Sequence, residues 1–247
     1  LDEDTVDKIN SIINADQGDE FIAKFDFFSL DPVFLDIMTN PRIMNICEYL
    51  LGENFRLDET WGVQEVPPYV GQAPFYGIHG GPMDEENSFQ YQWIYGRPHV
   101  TQLNASFITY PVNEGDGGLV VVPGSHKQNI EIKGWQIRDE LLNGSLEASW
   151  IQNPSLDPGD VVLFTEALVH GTKPWEPKDR PRRSLFYKYC PGYVVWREYS
   201  EVAKHYQLAR TPLERKLLTP PYVGKFDETE KPVPKVTYRP KTLSDDE

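Results

Sequence analysis

The feature that most constrains the fold of this chain is a run of short, β-rich segments separated by glycine and proline turns. Four segments share this pattern: "HVTQLNASFITYPV" (99–112), "GGLVVVPGSHK" (117–127), "LDPGDVVLFTEALVHGTKPW" (156–175) and "RRSLFYKYCPGYVV" (182–195). Each is rich in β-branched and aromatic residues and is bounded by turn residues. The aromatic content of 13% and the 21 prolines also favour strands and structured loops over a helical bundle. The pattern predicts a mainly β protein with an antiparallel sandwich or jelly-roll core.

Helical patterns flank this β region on both sides, at residues 2–16, 31–55 and 200–220. The middle one reads as two helices, the second beginning at Pro41 and ending at Gly52. The segment 129–154 is less regular, and the tail after Tyr222 is rich in proline and charge, as in surface-wrapping or loose segments. We therefore predict a single domain over 1–247, made of a helical N-terminal part (1–58), a jelly-roll core (about 59–198) and a helical and irregular C-terminal part (199–247).

The charge balance excludes some classes of partner. A net charge of -14 and a pI near 4.8 produce a surface that repels phosphate backbones and anionic membranes, so we expect no nucleic acid and no membrane partner. The two cysteines, Cys47 and Cys190, form no CxxC motif and are predicted to be reduced and buried. No apolar run approaches a membrane span and no signal peptide is visible. We predict a cytoplasmic protein, although the chain begins with Leu1 and a targeting segment could precede it.

Two of the five histidines lie where a strand-like segment meets a loop: His79 follows "PFYGI" and His170 ends "VVLFTEALV". Such positions can converge at one open end of a jelly roll, and imidazole binds iron, zinc, copper and nickel. A lone histidine more often has a structural role, so a site needs further support. Arg182 and Ser184 supply it, because residues two apart on a strand share a face, where a guanidinium and a hydroxyl can clamp a carboxylate. The alternative is an exposed "DRPRR" loop that contains Arg180 and could also contain Arg183.

The order and spacing of three blocks, "GDGGLVVVPGSHK", "LDPGDVVLFTEALVHG" and "RRSLFYKY", resemble the phytanoyl-CoA dioxygenase family of Fe(II)/2-oxoglutarate oxygenases. The resemblance runs from about residue 60 to 195. It implies a double-stranded β-helix (cupin-like) core, with His79 and His170 as iron ligands. It also implies that Arg182 binds the far carboxylate of 2-oxoglutarate with help from Ser184, and that a C–H bond of a small organic molecule is oxidised. Gln102 begins an inner strand and is a further candidate contact for the cosubstrate, with core packing as an equal alternative.

The sequence departs from the family pattern at Gly81, because His-x-Asp is replaced by "HGG". Three explanations stay open for the missing carboxylate. Another acid, Glu166, could replace it. Chloride could bind near Gly81, as in iron halogenases that have a small residue there, and the reaction would then be chlorination. Alternatively, the site could be inactive, and the protein would be a jelly-roll binding module.

We favour Glu166 as the third metal ligand. An acid inside the apolar run "VVLFTEALV" is costly to bury unless it is paired or coordinates a metal. An extended strand would separate Glu166 from His170 by roughly 13 Å, so the assignment requires a bend at 165–167. The structural alternative is an ion pair between Glu166 and Arg182 or Lys188.

The remaining aromatic and histidine residues are weaker candidates. Four aromatic residues could line a substrate pocket, although buried aromatics are usually core: Trp61, Trp93, Trp175 and Tyr91. His99 begins a strand and could contact the substrate. His126 is assigned to a turn, and His205 to a helix surface.

Overall fold

The structure, a computed structural model, describes residues 1–16, 27–66, 76–81, 90–128 and 151–223. The N-terminal part contains three helices: α1 (Glu3–Asp16), α2 (Val33–Met38) and α3 (Pro41–Leu51). The predicted ends of the last helix are confirmed. Asn40 caps it by accepting the backbone N–H of Arg42 and of Ile43, Pro41 is its first residue, and Gly52 ends it with φ +89°.

The described residues contain nine strands in chain order: β1 (Phe55–Val66), β2 (Tyr76–His79), β3 (Tyr91–Ile94), β4 (Arg97–Val100), β5 (Leu103–Ile108), β6 (Gly118–Val121), β7 (Val161–Thr165), β8 (His170–Lys173) and β9 (Arg182–Pro191). They form a four-stranded sheet in the order β1-β9-β5-β7, a three-stranded sheet in the order β2-β8-β6, and the hairpin β3-β4. Every pairing is antiparallel. The predicted mainly β, jelly-roll fold with flanking helices is confirmed.

The four-stranded sheet separates two different environments. On one face, Tyr187 and Tyr189 of β9 point at the N-terminal helices and donate their hydroxyl hydrogens to the carbonyl oxygens of Phe34 and Met38. Because side chains alternate along a strand, the residues between them face the opposite way. That opposite face of β9 and β5 carries buried polar side chains: Arg182, Ser184, Lys188, Asn104 and Ser106. Buried polar groups are costly unless they form hydrogen bonds or ion pairs, so a cluster of them on one face indicates a functional site there.

The C-terminal part is helical in short pieces. It contains α4 (Ser200–Ala203), a 3₁₀ turn (Tyr206–Leu208) and α5 (Pro212–Leu217), so the predicted helix over 200–220 is interrupted. Thr211 caps α5 by a reciprocal capping box with Glu214. The prediction that His205 lies on a helix surface is wrong: it is 3% exposed and its ring packs edge-on against Phe28, 5.0 Å between centroids.

Cys47 and Cys190 are both free and buried, as predicted. Within the described residues, no helix has the length and apolar character that crossing a membrane requires. Most of the less regular segment 129–154, and the tail beyond residue 223, lie outside the described residues. The division of the chain as a single domain stays a prediction.

Candidate metal centre

The two predicted histidine ligands are brought together by strand pairing. His79 ends β2 and His170 begins β8, and the two residues are register partners in the antiparallel β2-β8 pair. Their ring centroids lie 4.3 Å apart with an angle of 57° between the ring planes. Directly opposed residues on neighbouring antiparallel strands have closely spaced side chains, so a pair of short strands is sufficient to place both imidazoles at one point.

The predicted bend before His170 is present and brings Glu166 to the histidines. Strand β7 ends at Thr165, and a turn follows in which the N–H of Leu168 donates to the carbonyl of Thr165 at 2.9 Å. The Thr165 hydroxyl oxygen also accepts the N–H of Ala167, at 3.3 Å. As a result, Glu166 Oε2 lies 3.6 Å from His170 Nε2 instead of at the far greater separation of an extended strand. Glu166 is 4% exposed.

The hydrogen bonding of His170 leaves the correct nitrogen available to a metal. Its Nδ1 lies 2.7 Å from the Leu168 carbonyl oxygen, which can only accept, so Nδ1 carries the hydrogen and Nε2 has the lone pair. Burial lowers the pKa of His170 to about 4, with the nearby Glu166 carboxylate opposing part of that shift. The imidazole is therefore neutral at physiological pH, which is the form that binds metals.

Glu166 is held in its ionised form. Burial alone would raise its pKa, but the Lys188 ammonium, His170 and a hydrogen bond from Asn104 outweigh burial and lower the pKa to about 2. The contacts are short: Lys188 Nζ lies 2.7 Å and Asn104 Nδ2 2.8 Å from Glu166 Oε1. The ion pair with Lys188 considered from the sequence is therefore present, on one oxygen of the carboxylate.

The resulting cluster fits a divalent transition-metal ion. One ligand atom each from His79, Glu166 and His170 lies within 4.8 Å of the others. The 3.6 Å between Glu166 Oε2 and His170 Nε2 is too long for a strong hydrogen bond, yet it lets both atoms reach one cation. Two imidazoles and one carboxylate form the donor set typical of non-haem Fe(II). His79 is exposed, whereas the other two are buried, so the cluster opens on the His79 side.

The backbone after His79 explains why no carboxylate follows it. Gly80 and Gly81 adopt φ of +87° and +105°, a region that residues with a side chain rarely adopt. A Cβ at Gly80 would lie 2.5 Å from the Leu168 carbonyl oxygen, and one at Gly81 would lie 3.2 Å from Val169 Cγ2. The loop after β2 therefore packs against the turn that carries Glu166, and an aspartate at position 81 would be strained.

Arg182 and Ser184 lie together on the buried polar face, as predicted. They are 7% and 0% exposed, and Ser184 Oγ has no hydrogen-bond partner within the described part of the chain. Gly118 makes room for the arginine, because a Cβ there would lie 3.0 Å from Arg182 Nε. Gly118 pairs with Lys173 in the β6-β8 ladder. Lys173 is three residues from His170 along β8, a separation of roughly 10 Å. The guanidinium thus lies within one small molecule's length of the cluster.

Arg183 is not in an exposed loop, contrary to the alternative considered from the sequence. It lies in β9 on the face opposite Arg182 and is 1% exposed. Its guanidinium donates to Asn10 Oδ1 at 2.8 Å and to Asn14 Oδ1 at 2.7 Å, both in α1. Arg183 therefore anchors α1 to the sheet.

Gln102 is buried at 1% exposure just before β5, on the same face as Asn104. Its Nε2 donates to Asp58 Oδ2 at 3.2 Å, whereas its Oε1 has no partner in the described part of the chain. One end of the amide is thus bonded within the core, and the contact of Gln102 with a cosubstrate stays a prediction. His99 lies in the β3-β4 hairpin, where its Nε2 accepts from Arg97 Nε at 3.3 Å.

The weaker aromatic candidates divide into core and surface. Trp175 is 1% exposed and donates its indole N–H to the Arg180 carbonyl, so it is a core residue. Trp93 is 65% exposed on the β3-β4 hairpin. Tyr91 packs edge-on against His126, which lies in a 3₁₀ turn as predicted. The side chain of Trp61 is outside the described part of the structure.

Two residues that support the cluster were not selected from the sequence. Asn104 donates to Glu166, and the Ser125 hydroxyl accepts the N–H of Val169 at 2.7 Å, next to His170. A signal for Asn104 was available: in "QLNAS" every second residue is polar within a strand that is otherwise apolar. Such alternation indicates one polar and one apolar face.

Comparisons with known proteins agree with this arrangement. A model of the family described as "Phytanoyl-CoA dioxygenase (PhyH)" matches residues 13–184. An ectoine dioxygenase of Sphingopyxis alaskensis is 21% identical over 179 residues, which are 66% of this chain and 56% of that protein. A probable phytanoyl-CoA dioxygenase of Caenorhabditis elegans is 26% identical over 180 residues, 68% of this chain and 55% of that protein. The chain spans about half the length of these two curated relatives.

A similar fold is found among solved structures. HygX from Streptomyces hygroscopicus, solved with nickel and 2-oxoglutarate bound, superposes with a TM-score of 0.66 and 20% sequence identity. The match covers 80% of this chain and 82% of that chain. At this identity the likeness establishes the shared fold.

Proposed function

The chain belongs to the phytanoyl-CoA dioxygenase family, and we propose that it is an oxygenase that uses Fe(II) and 2-oxoglutarate to oxidise a C–H bond of a small organic molecule. The observation that carries this proposal is the convergence of His79, Glu166 and His170 at one point. Family membership alone would leave open whether a chain without the usual carboxylate keeps a metal site. The cluster supplies an alternative carboxylate in the required protonation state.

His79, His170 and Glu166 are the proposed iron ligands. His170 presents Nε2 because its Nδ1–H is bound to the Leu168 carbonyl, and Glu166 presents Oε2 because its other oxygen is occupied. One carboxylate and two neutral imidazoles leave a divalent ion with one net positive charge, which favours the binding of an anionic cosubstrate. When bound, iron and 2-oxoglutarate supply the oxidising equivalents, as 2-oxoglutarate and O₂ are converted to succinate and CO₂ with one oxygen atom for the substrate.

Arg182 and Ser184 are the proposed ligands for the far carboxylate of 2-oxoglutarate. The guanidinium is buried, so an ionic bond to a carboxylate there is weakly screened by water. The Ser184 hydroxyl, which has no partner in the part of the chain that the structure describes, offers one further donor on the same strand face. The distance estimated along β8 from His170 fits a five-carbon dicarboxylate that spans from the metal to Arg182. Gln102, whose Oε1 has no hydrogen-bond partner among the described residues, is a lesser candidate contact for the cosubstrate.

The decisive experiment is anaerobic addition of Fe(II) and then 2-oxoglutarate to the purified protein. Chelation of iron by a 2-oxo acid gives a weak visible charge-transfer band, which we expect for the parent protein and not for the His79→Ala or His170→Ala variants. The absence of the band in the parent protein would refute the oxygenase and favour a non-catalytic jelly-roll binding module.

Hydroxylation is the proposed outcome, with halogenation as the alternative. The carboxylate of Glu166 fills the third ligand position, so the reaction needs no halide. Because no side chain extends from Gly81, chloride near this residue is the competing assignment. The mass of the product formed with and without chloride distinguishes the two reactions. We propose a small-molecule substrate because the ectoine dioxygenase relative is itself named for one.

A further inference from the structure

The two oxygens of the Glu166 carboxylate have different surroundings. Oε1 accepts hydrogen bonds from Lys188 Nζ at 2.7 Å and from Asn104 Nδ2 at 2.8 Å. Oε2 faces His170 Nε2 at 3.6 Å, beyond the distance of a strong hydrogen bond. A carboxylate oxygen has two lone-pair sites, so two donors occupy Oε1 fully. Only Oε2 remains for a cation.

The two donors to Oε1 are themselves fixed by the fold. Asn104 of β5 and Lys188 of β9 are register partners in the four-stranded sheet, so their side chains leave adjacent strands at the same level and on the same face. Lys188 is 8% exposed and its Nζ also lies 3.5 Å from Glu59 Oε1. The other oxygen of Glu59 accepts from Arg197 Nε at 2.8 Å. The ammonium is thus held between two buried carboxylates.

We propose that Lys188 and Asn104 are positioning residues that hold Glu166 as a one-oxygen metal ligand. This inference rests on the proposed function. A free glutamate carboxylate can bind a metal through both oxygens, which would occupy a position that the cosubstrate or O₂ needs. With Oε1 bound to Lys188 and Asn104, the carboxylate contributes Oε2 alone, and three coordination positions stay open. The lysine also compensates a buried negative charge in the metal-free protein.

This arrangement accounts for how a glutamate can replace an aspartate in another part of the fold. Glutamate has one more rotatable bond than aspartate, so it loses more conformational freedom when it is fixed as a ligand. Two donors from a rigid sheet restrict that freedom before the metal arrives. Groups that orient a ligand in this way typically change metal affinity by about 10- to 100-fold when they are removed.

The test is a double-mutant cycle on metal affinity, measured by calorimetry with Ni(II) on metal-free protein. Ni(II) binds imidazole sites tightly enough for weakened variants to remain measurable. Lys188→Met is expected to weaken Ni(II) binding by about 10- to 100-fold in the parent protein. In a Glu166→Gln background the same substitution should change the Ni(II) affinity less than twofold, because Lys188 acts on the metal only through the Glu166 carboxylate. Lys216→Met is the matched control: this lysine is also partly buried, but it bonds the Glu53 carbonyl and packs on Phe55.

Two outcomes for the Lys188→Met variant overturn the inference. One is unchanged Ni(II) affinity in Lys188→Met, and the other is an equal loss in both backgrounds, which would indicate general damage to the fold. If Lys188→Met does not fold by circular dichroism, Asn104→Ala gives the same cycle with the ammonium left in place. A parent protein that binds no Ni(II) refutes the proposed function and this inference together. A parent that binds Ni(II) and 2-oxoglutarate, beside an unaffected Lys188→Met, refutes the positioning role alone.

Discussion

Arg182 and Arg183 are adjacent in sequence and are expected to have opposite phenotypes, because β9 points them at different sides of the sheet. Arg182 lies on the buried polar face with Ser184, whereas Arg183 donates to Asn10 and Asn14 of α1. We expect Arg182→Ala to weaken 2-oxoglutarate binding with little loss of stability. Arg183→Ala should destabilise the protein and leave 2-oxoglutarate affinity near that of the parent.

The magnitudes follow from the bonds that each variant loses. A hydrogen bond to a charged group contributes about 1.5–3 kcal/mol, so Arg182→Ala should raise the Kd for 2-oxoglutarate by roughly 10- to 150-fold. Arg183→Ala removes two such bonds from a side chain that is 1% exposed. Because neighbouring bonds are not additive, we expect a loss of roughly 2–4 kcal/mol of unfolding free energy, or about 5–15 °C in Tm.

Two assays separate the effects. Anaerobic titration of the Fe(II) protein with 2-oxoglutarate, followed by charge-transfer absorbance, gives the Kd for the cosubstrate. Thermal unfolding of the metal-free protein, followed by circular dichroism, gives Tm without a contribution from ligands. Arg182→Lys adds a control for geometry, since it keeps the charge and loses the two-pronged donor. Equal increases in the Kd for both alanine variants would refute the assignment of the two faces.

Further predictions concern the metal cluster. His79→Ala and His170→Ala should each lose iron by elemental analysis while keeping the β-sheet signal, and a variant that retains parental iron identifies a histidine that is no ligand. Glu166→Ala should lose iron or 2-oxoglutarate turnover, and chloride should change neither; a neutral effect together with a chloride-dependent spectrum would favour the halogenase. Gly81→Asp should lower Tm and fail to restore iron to Glu166→Ala, because φ at this position is +105°. Burial lowers the pKa of His170 to about 4, so between pH 6.5 and about 4 this residue takes up a proton in the unfolded chain but not in the folded protein. The metal-free protein should therefore lose stability as the pH falls through this range. His170→Gln should reduce the loss, as measured by urea titrations at several pH values.

The fold was predictable from the sequence because its signals are local. Strand segments with turn residues at both ends, Pro41 at the start of a helix and Gly52 at its end each follow from backbone preferences of a few residues. The interruption of the C-terminal helix was not predicted, and neither was the burial of His205 against Phe28. Both depend on packing against distant parts of the chain, which periodicity in a short window does not report.

The three residues of the cluster could be chosen from the sequence, whereas the contacts that support them could not. The apolar surroundings of Glu166 indicated that the acid must be paired, and the structure places it beside both His170 and Lys188. The sequence left these two partners as alternatives, since it does not show that a carboxylate can use each oxygen separately. Asn104 was missed because its role depends on the register between β5 and β9, which strand patterns alone leave undetermined.

The proposed relocation of the carboxylate to Glu166 agrees with the geometry at the end of β2. In a His-x-Asp arrangement the acid extends from the strand or loop directly after the first histidine. Here the Leu168 carbonyl lies 2.5 Å from where a Gly80 Cβ would be, and Gly81 combines a φ of +105° with a Cβ position 3.2 Å from Val169 Cγ2, so an aspartate at 81 would be strained. The same turn carries Glu166, and its Leu168 carbonyl oxygen accepts the Nδ1–H of His170. The turn that packs against Gly80 and Gly81 is therefore the one that carries Glu166, so a variant that returns the carboxylate to position 81 should change the two glycines and the glutamate together.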